Sequence, residues 1–129
     1  MKLFIAGLML VLALGSVDAA GVRKGDTLRV QINHEKRAPR SKLTVRFVEL
    51  IEDSRCPTDT NCVWAGNAKI KVRVKKNGRS HELTLDTNGP SQTVRAEGYA
   101  IKLVALTPEP RSNIRIDRNG YVATFLIQK

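Results

Sequence analysis

Apolar residues recur at every second position along this chain, in short runs, and beyond the N-terminal segment they never hold helical spacing. Leu28, Val30 and Ile32 alternate with Arg29 and Gln31. Leu43, Val45 and Phe47 repeat the pattern, and Ile70, Val72 and Val74 alternate with Lys69, Lys71, Arg73 and Lys75. Leu83 with Leu85, Ile101 with Leu103 and Ile114 with Ile116 are shorter instances. A period of two turns one face of each run to a core and the other to water, which is the signature of a β-strand. The phase slips after Phe47, where Val48 and Leu50 continue on the wrong parity, and this predicts a bulge near Phe47-Val48. Tyr121 to Ile127 is apolar on both parities except at Thr124, as expected of a central or wrapped strand.

Turn residues separate the runs at short intervals. Asn77-Gly78 lies between two alternating segments and is the strongest hairpin signal in the chain. Asp117-Arg118-Asn119-Gly120 has the composition of a second tight turn, and Thr87-Asn88-Gly89-Pro90 and Glu97-Gly98 break the middle. Thr107-Pro108-Glu109-Pro110 is expected to be an extended, stiff connection, since each proline forbids helix and restricts its predecessor. The sum is an all-β chain of about eight short strands, mostly antiparallel. Two architectures satisfy that pattern: a small, partly open barrel of the oligonucleotide/oligosaccharide-binding type, which the long bulged second strand favours, and a two-sheet sandwich.

The N-terminal segment reads differently. Met1-Lys2 is a short positive start, Leu3 to Leu14 is apolar apart from Gly7, and Gly15-Ser16-Val17-Asp18-Ala19 supplies small residues where a signal peptidase reads. The apolar run falls short of the roughly 20 residues a membrane span needs. The expectation is a signal peptide over 1–19, cut after Ala19 or one residue later, and a single domain over 20–129. A buried N-terminal helix is the competing reading. Export to the periplasm or the medium follows from the first.

In such a compartment the chain's two cysteines, Cys56 and Cys62, read as a disulfide. A structural zinc would need more Cys or His ligands than the chain offers. Closing so short a loop contributes only about 2–2.5 kcal/mol in the chain-entropy model. Its local consequence is larger, because Pro57, Thr58, Asp59, Thr60 and Asn61 become a stiff tip. Trp64, the single tryptophan, is expected to pack beneath that loop; exposed, it would be a natural interface anchor.

Catalytic patterns are missing or thin. His34 and His81, the two histidines, sit in no metal-binding spacing and read as surface residues. No G-x-S-x-G elbow frames a serine, and no glycine-rich phosphate loop follows a strand. Neither an enzyme nor a resident cofactor or metal is expected. Glu52, Asp53 and Asp59 match no calcium-loop spacing. Asp53 or Ser54 is expected instead to accept backbone hydrogen bonds in the turn, and an Asp53–Arg55 surface pair would stabilise little.

The net charge of +10 draws such a protein toward polyanions without choosing among them. Lys69, Lys71, Arg73 and Lys75 put cations on one face of a strand, and Lys42 and Arg46 could extend it. The plain reading is that a solvated sheet face must be polar and that lysines protect edges. Nucleic acid is disfavoured because no aromatic residue interleaves with this row.

The segment Asp53-Ser54-Arg55-Cys56-Pro57, followed by Cys62-Val63-Trp64-Ala65-Gly66-Asn67-Ala68, resembles a family of small exported bacterial proteins, many of them lipoproteins. The resemblance continues through Leu106-Thr107-Pro108-Glu109-Pro110 to Tyr121-Val122-Ala123-Thr124. It implies export but no particular activity, and the absence of a lipid-attachment cysteine implies a soluble form. Size, export and the cysteine loop are also similar, in architecture alone, to potempin-type inhibitors of secreted metallopeptidases. Two functions follow as expectations. One is a protein-binding module, with a peptidase among its candidate partners, using Arg55, Pro57, Thr58, Asp59 and Trp64. The other is a binder of envelope polyanions through Lys69, Lys71, Arg73 and Lys75, or a structural envelope protein.

Overall fold

A computed structural model describes residues 25–129. The expected signal peptide at 1–19 lies outside the described residues. The strands are β1 (Asp26–Gln31), β2 (Glu35–Arg37), β3 (Thr44–Asp53), β4 (Ala68–Lys76), β5 (Arg79–Asp86), β6 (Thr93–Ala96), β7 (Tyr99–Thr107) and β8 (Val122–Gln128). They form two four-stranded antiparallel sheets, ordered β1-β8-β7-β6 and β2-β3-β4-β5. The alternating positions converge as the periodicity requires. Leu28 and Val30 from β1, Leu103 from β7 and Phe125 from β8 meet Val45 and Phe47 from β3 and Ile70, Val72 and Val74 from β4 in one core. Burying each such side chain stabilises the fold by about 1.5–3 kcal/mol.

The architecture is therefore the two-sheet one, and the favoured barrel does not form. The two sheets stay separate, and their edge strands do not close the circle. On one side the chain steps between them within two residues: the Ile32 N–H donates to the Tyr121 carbonyl (2.9 Å) and the Asn33 N–H to the Phe47 carbonyl (2.8 Å). Asn33 makes this corner in the left-handed region, with φ 68°, where asparagine is better tolerated than most residues. The bulge after Phe47 is present, where the β3–β4 register jumps from Phe47 to Glu49; a second jump follows between Leu50 and Glu52. Both keep β3 paired with β4 along its whole length rather than bending it onto the opposite sheet.

Asn77 and Gly78 close the β4–β5 hairpin with φ 51° and 78°, and Glu97 and Gly98 close β6–β7 with φ 53° and 79°. Such left-handed pairs match the strand twist. β8 lies between β1 and β7, as its two apolar faces predict. The expected strand at Ile114 and Ile116 is absent. Ile114 makes one isolated bridge with Arg111 and is exposed, and Ile116 packs at the margin of the core.

Candidate functional site

The loop between β3 and β4 is bounded by the Cys56–Cys62 disulfide, which is formed. Such a bond fits an oxidising, non-cytoplasmic compartment. Among the described residues no helix is long and apolar enough to cross a membrane. The loop's base is stitched by its own ends. The Ser54 N–H donates to the Asn67 carbonyl (2.7 Å), the Ser54 hydroxyl donates to the same oxygen (2.8 Å), and the Cys56 N–H donates to the Ala65 carbonyl (3.2 Å). Gly66, at φ 71°, passes so close to Ser54 that a Cβ would collide with the Ser54 carbonyl oxygen. Only glycine fits there.

Arg55 is not a free interface residue. It and Asp53 are each 12% exposed at the side chain. The guanidinium donates through Nε to Asp53 Oδ1 (2.8 Å) and through Nη2 to Asp53 Oδ2 (2.8 Å), a bidentate pair. It also donates to the carbonyls of Leu106 (2.6 Å) and Pro108 (3.1 Å). The Tyr121 hydroxyl completes the cluster by donating to Asp53 Oδ2 (3.0 Å). Burial pushes the Asp53 carboxyl up, but its hydrogen bonds to Arg55 and the Arg55 charge outweigh this and hold it below the usual range. Burial and the bond to Asp53 push the Tyr121 hydroxyl up. The weak surface pair expected from sequence is thus a shielded anchor tying the loop to β7 and to Tyr121, the residue just before β8. As expected, Asp53 also accepts from the Arg55 N–H (3.3 Å).

The tip is held from the other side. The Thr58 N–H donates to the Pro110 carbonyl (2.9 Å), and Asp59 accepts from the Ser112 N–H (3.0 Å) and hydroxyl (2.5 Å). These bonds keep the Asp59 carboxyl below its usual range. Asp59 is therefore committed to the 110–112 segment, although it is exposed. Among the described residues no set of three His, Cys, Asp or Glu side chains converges to hold a metal.

Trp64 corrects the expected packing. It is 82% exposed, and Val63 beside it is 93% exposed. The six bonds between Ser54, Cys56, Ala65, Asn67, Thr58 and Pro110 hold the loop's path, and that path turns both side chains outward. The adjoining Ala65 and Gly66 line a groove of about 420 Å³ of mixed character, whose wall also includes Arg55, Val104, Leu106 and Glu109. Val104, half exposed, sits where the β7–β8 register jumps between Leu103 and Ala105. Pro57 is partly buried and Thr58 exposed at the tip.

No family model, curated protein or solved structure matches this chain. The loop's backbone bonds hold the adjacent Val63 and Trp64 side chains in water.

The basic strand has neighbours that its sequence conceals. Register sets Glu52 and Asp86 on either side of Lys69, Glu49 beside Lys71, and Glu82 beside Arg73. Lys71 Nζ lies 3.1 Å from Glu49 and Arg73 Nη2 2.9 Å from Glu82. The Arg73 hydrogen bond keeps the Glu82 carboxyl below its usual range. Most of this row is thus an interleaved charge lattice, and only Lys75 lacks a carboxylate opposite it. His81 reads as a surface residue here too, with its Nε2 2.7 Å from Glu97 Oε1.

Sequence reasoning missed Val63 and Tyr121 as parts of the site, and it anticipated the Asp53–Arg55 pair only as a weak surface one. The adjacent Val63-Trp64 pair outside any alternating run was the one available signal for the first.

Proposed function

We propose that this chain is an exported, non-enzymatic protein-binding module that docks a periplasmic or secreted partner of acidic surface through Val63, Trp64 and the disulfide-bounded tip. The observation that carries this reading is the exposed Val63-Trp64 pair on an immobilised loop. Burying a side chain as large as tryptophan contributes about 2–3 kcal/mol, and the fold forgoes that gain. Contact with a partner recovers it, and an anchored loop loses little entropy on docking. Tryptophan is also among the residue types that dominate interface energetics. The net charge of +10 favours an acidic partner and speeds encounter. A signal peptide at 1–19 delivers the chain to that compartment in this reading.

A secreted or envelope peptidase is the partner class to assay first. An inhibitor must present a stiff segment that resists cleavage, and the loop's bonds to Asn67, Ala65, Pro110 and Ser112 supply that stiffness. Immobilised oxidised protein is challenged with an exported protein fraction at high salt, beside a Val63→Ser/Trp64→Ala variant. A protein retained by the first and lost by the second supports docking through the pair, and its peptidase activity is then titrated. Equal retention by both, or none by either, removes the proposal.

A further inference from the structure

A second feature lies at the other end of the same sheet. β4 spans nine residues, about 27 Å from the cysteine loop to the Asn77-Gly78 hairpin. Across that far end the register aligns Arg37, Thr44, Lys75 and Ser80 on one outward row. The next row inward, Glu35, Arg46, Arg73 and Glu82, contains carboxylates, as do those at Lys71 and Lys69. The end row has none.

It opens onto a cleft of about 630 Å³ whose wall includes Arg37, Arg40, Lys42, Lys75, Lys76 and Tyr99, and no carboxylate. The turn that brings Arg40 and Lys42 there is itself built in. Buried Asp26 accepts from the Arg40 and Ser41 N–H groups (3.2 and 2.9 Å), and the Lys42 N–H donates to the Ala38 carbonyl (3.0 Å). Arg40 Nε stands 4.0 Å from Asp26, so its charge is partly compensated from behind. Lys42 takes φ 60° to complete the turn.

We propose that this cleft binds a linear anionic glycan carrying repeated sulfate, phosphate or carboxylate groups. Cations on β2, the 38–42 turn and β4 are spread around an open trough; Arg37 and Lys75 stand two strand spacings apart, about 10 Å at the backbone. That distribution fits charges repeated along a chain better than one compact ion. The Thr44 hydroxyl lies between Arg37 and Lys75 in that row and the Ser80 hydroxyl beyond Lys75, both in the wall as hydrogen-bonding partners for sugar hydroxyls. Stacked bases are disfavoured because the only aromatic ring in the wall, Tyr99, is capped by the Lys76 ammonium at 4.7 Å. A bilayer surface is disfavoured because, among the described residues, the exposed large apolar side chains, Ile51, Val63, Trp64, Val104 and Ile114, all lie outside this cleft.

The test uses heparin as the probe, with oxidised protein titrated across a range of salt. Lys42→Glu/Lys75→Glu is compared with Arg95→Glu/Lys102→Glu, which changes net charge equally at exposed positions on β6 and β7. Each cation in contact with the polyanion contributes roughly one unit to the slope of log affinity against log salt. The cleft variant is expected to lose about two units of slope and at least about tenfold in affinity, while the control loses less than about threefold. Equal losses in both variants overturn the proposal, as does tighter binding to vesicles containing phosphatidylserine than to heparin. Lys75→Gln alone repeats the comparison if the reversed pair does not fold. Trp64→Ala binds heparin as the parent does, so failure here is separable from failure of the loop reading.

Discussion

Replacing Arg55 by methionine keeps the aliphatic stem and removes the guanidinium. The loss strips Asp53 of its bidentate partner and leaves the carbonyls of Leu106 and Pro108 without their donor. Asp53 keeps only the Tyr121 hydroxyl and one backbone N–H. Hydrogen bonds to charged groups contribute about 1.5–3 kcal/mol and do not add. A fully buried ion stripped of its partner costs about 3–5 kcal/mol. At 12% exposure the site is shielded but not sealed, which places the loss at about 2–3 kcal/mol. For a domain of this size that lowers Tm by roughly 10–20 °C. Thermal and urea unfolding of the oxidised protein at neutral pH measure it. Arg55→Lys restores less than half, because an ammonium cannot bridge two carboxylate oxygens and two carbonyls at once. A loss under about 0.5 kcal/mol, the behaviour of an exposed ion pair, would refute the reasoning.

Gly66→Ala forces a left-handed φ on a residue with a Cβ and drives that atom into the Ser54 carbonyl; a loss above about 2 kcal/mol is expected, read by urea unfolding. The Asp53 carboxyl is held below its ordinary value of 3.8, so the unfolded chain protonates first on acidification. Its contribution is present above that value and is lost as pH falls through the lower folded one. Asp53→Asn should therefore flatten the stability curve below about pH 4, and parallel curves for the two proteins contradict the assignment. Val63→Ser and Trp64→Ala remove side chains that touch little of the fold, so each should leave the urea midpoint within about 0.5 kcal/mol of the parent. A larger loss in either would mean that the pair is a structural element.

Much of the fold was legible because a period of two speaks directly about faces. Val45, Ile70, Val72 and Val74 are all fully buried, as alternation requires, and the Asn77-Gly78 turn and the slip after Phe47 fall where expected. Alternation says nothing about which strands pair, so barrel and sandwich could not be separated before the register was known. Ile114 and Ile116 imitate a strand, but two apolar residues in a loop carry the same local pattern as two in a sheet. The site was hidden for a related reason. Arg55 finds its carbonyl partners at Leu106 and Pro108, far along the chain, and Asp59 finds Ser112. The basic strand looked bare because Glu49 and Glu82, its neutralising partners, lie on other strands. Lys75 was visible in that row, but its company with Arg37 and Lys42 required the turn held by Asp26.

The most direct test of the docking account uses Trp64 itself, since it is the only tryptophan and reports on its own surroundings. The oxidised protein is titrated with the partner retained at high salt, in a tryptophan-free form or with the partner's emission subtracted, while Trp64 emission and its quenching by acrylamide are followed. The account predicts a shift to shorter wavelength and strong protection from acrylamide, both saturating at one partner per chain. Complex formation with emission and quenching unchanged would show that Trp64 stays in water, and would contradict docking through the loop.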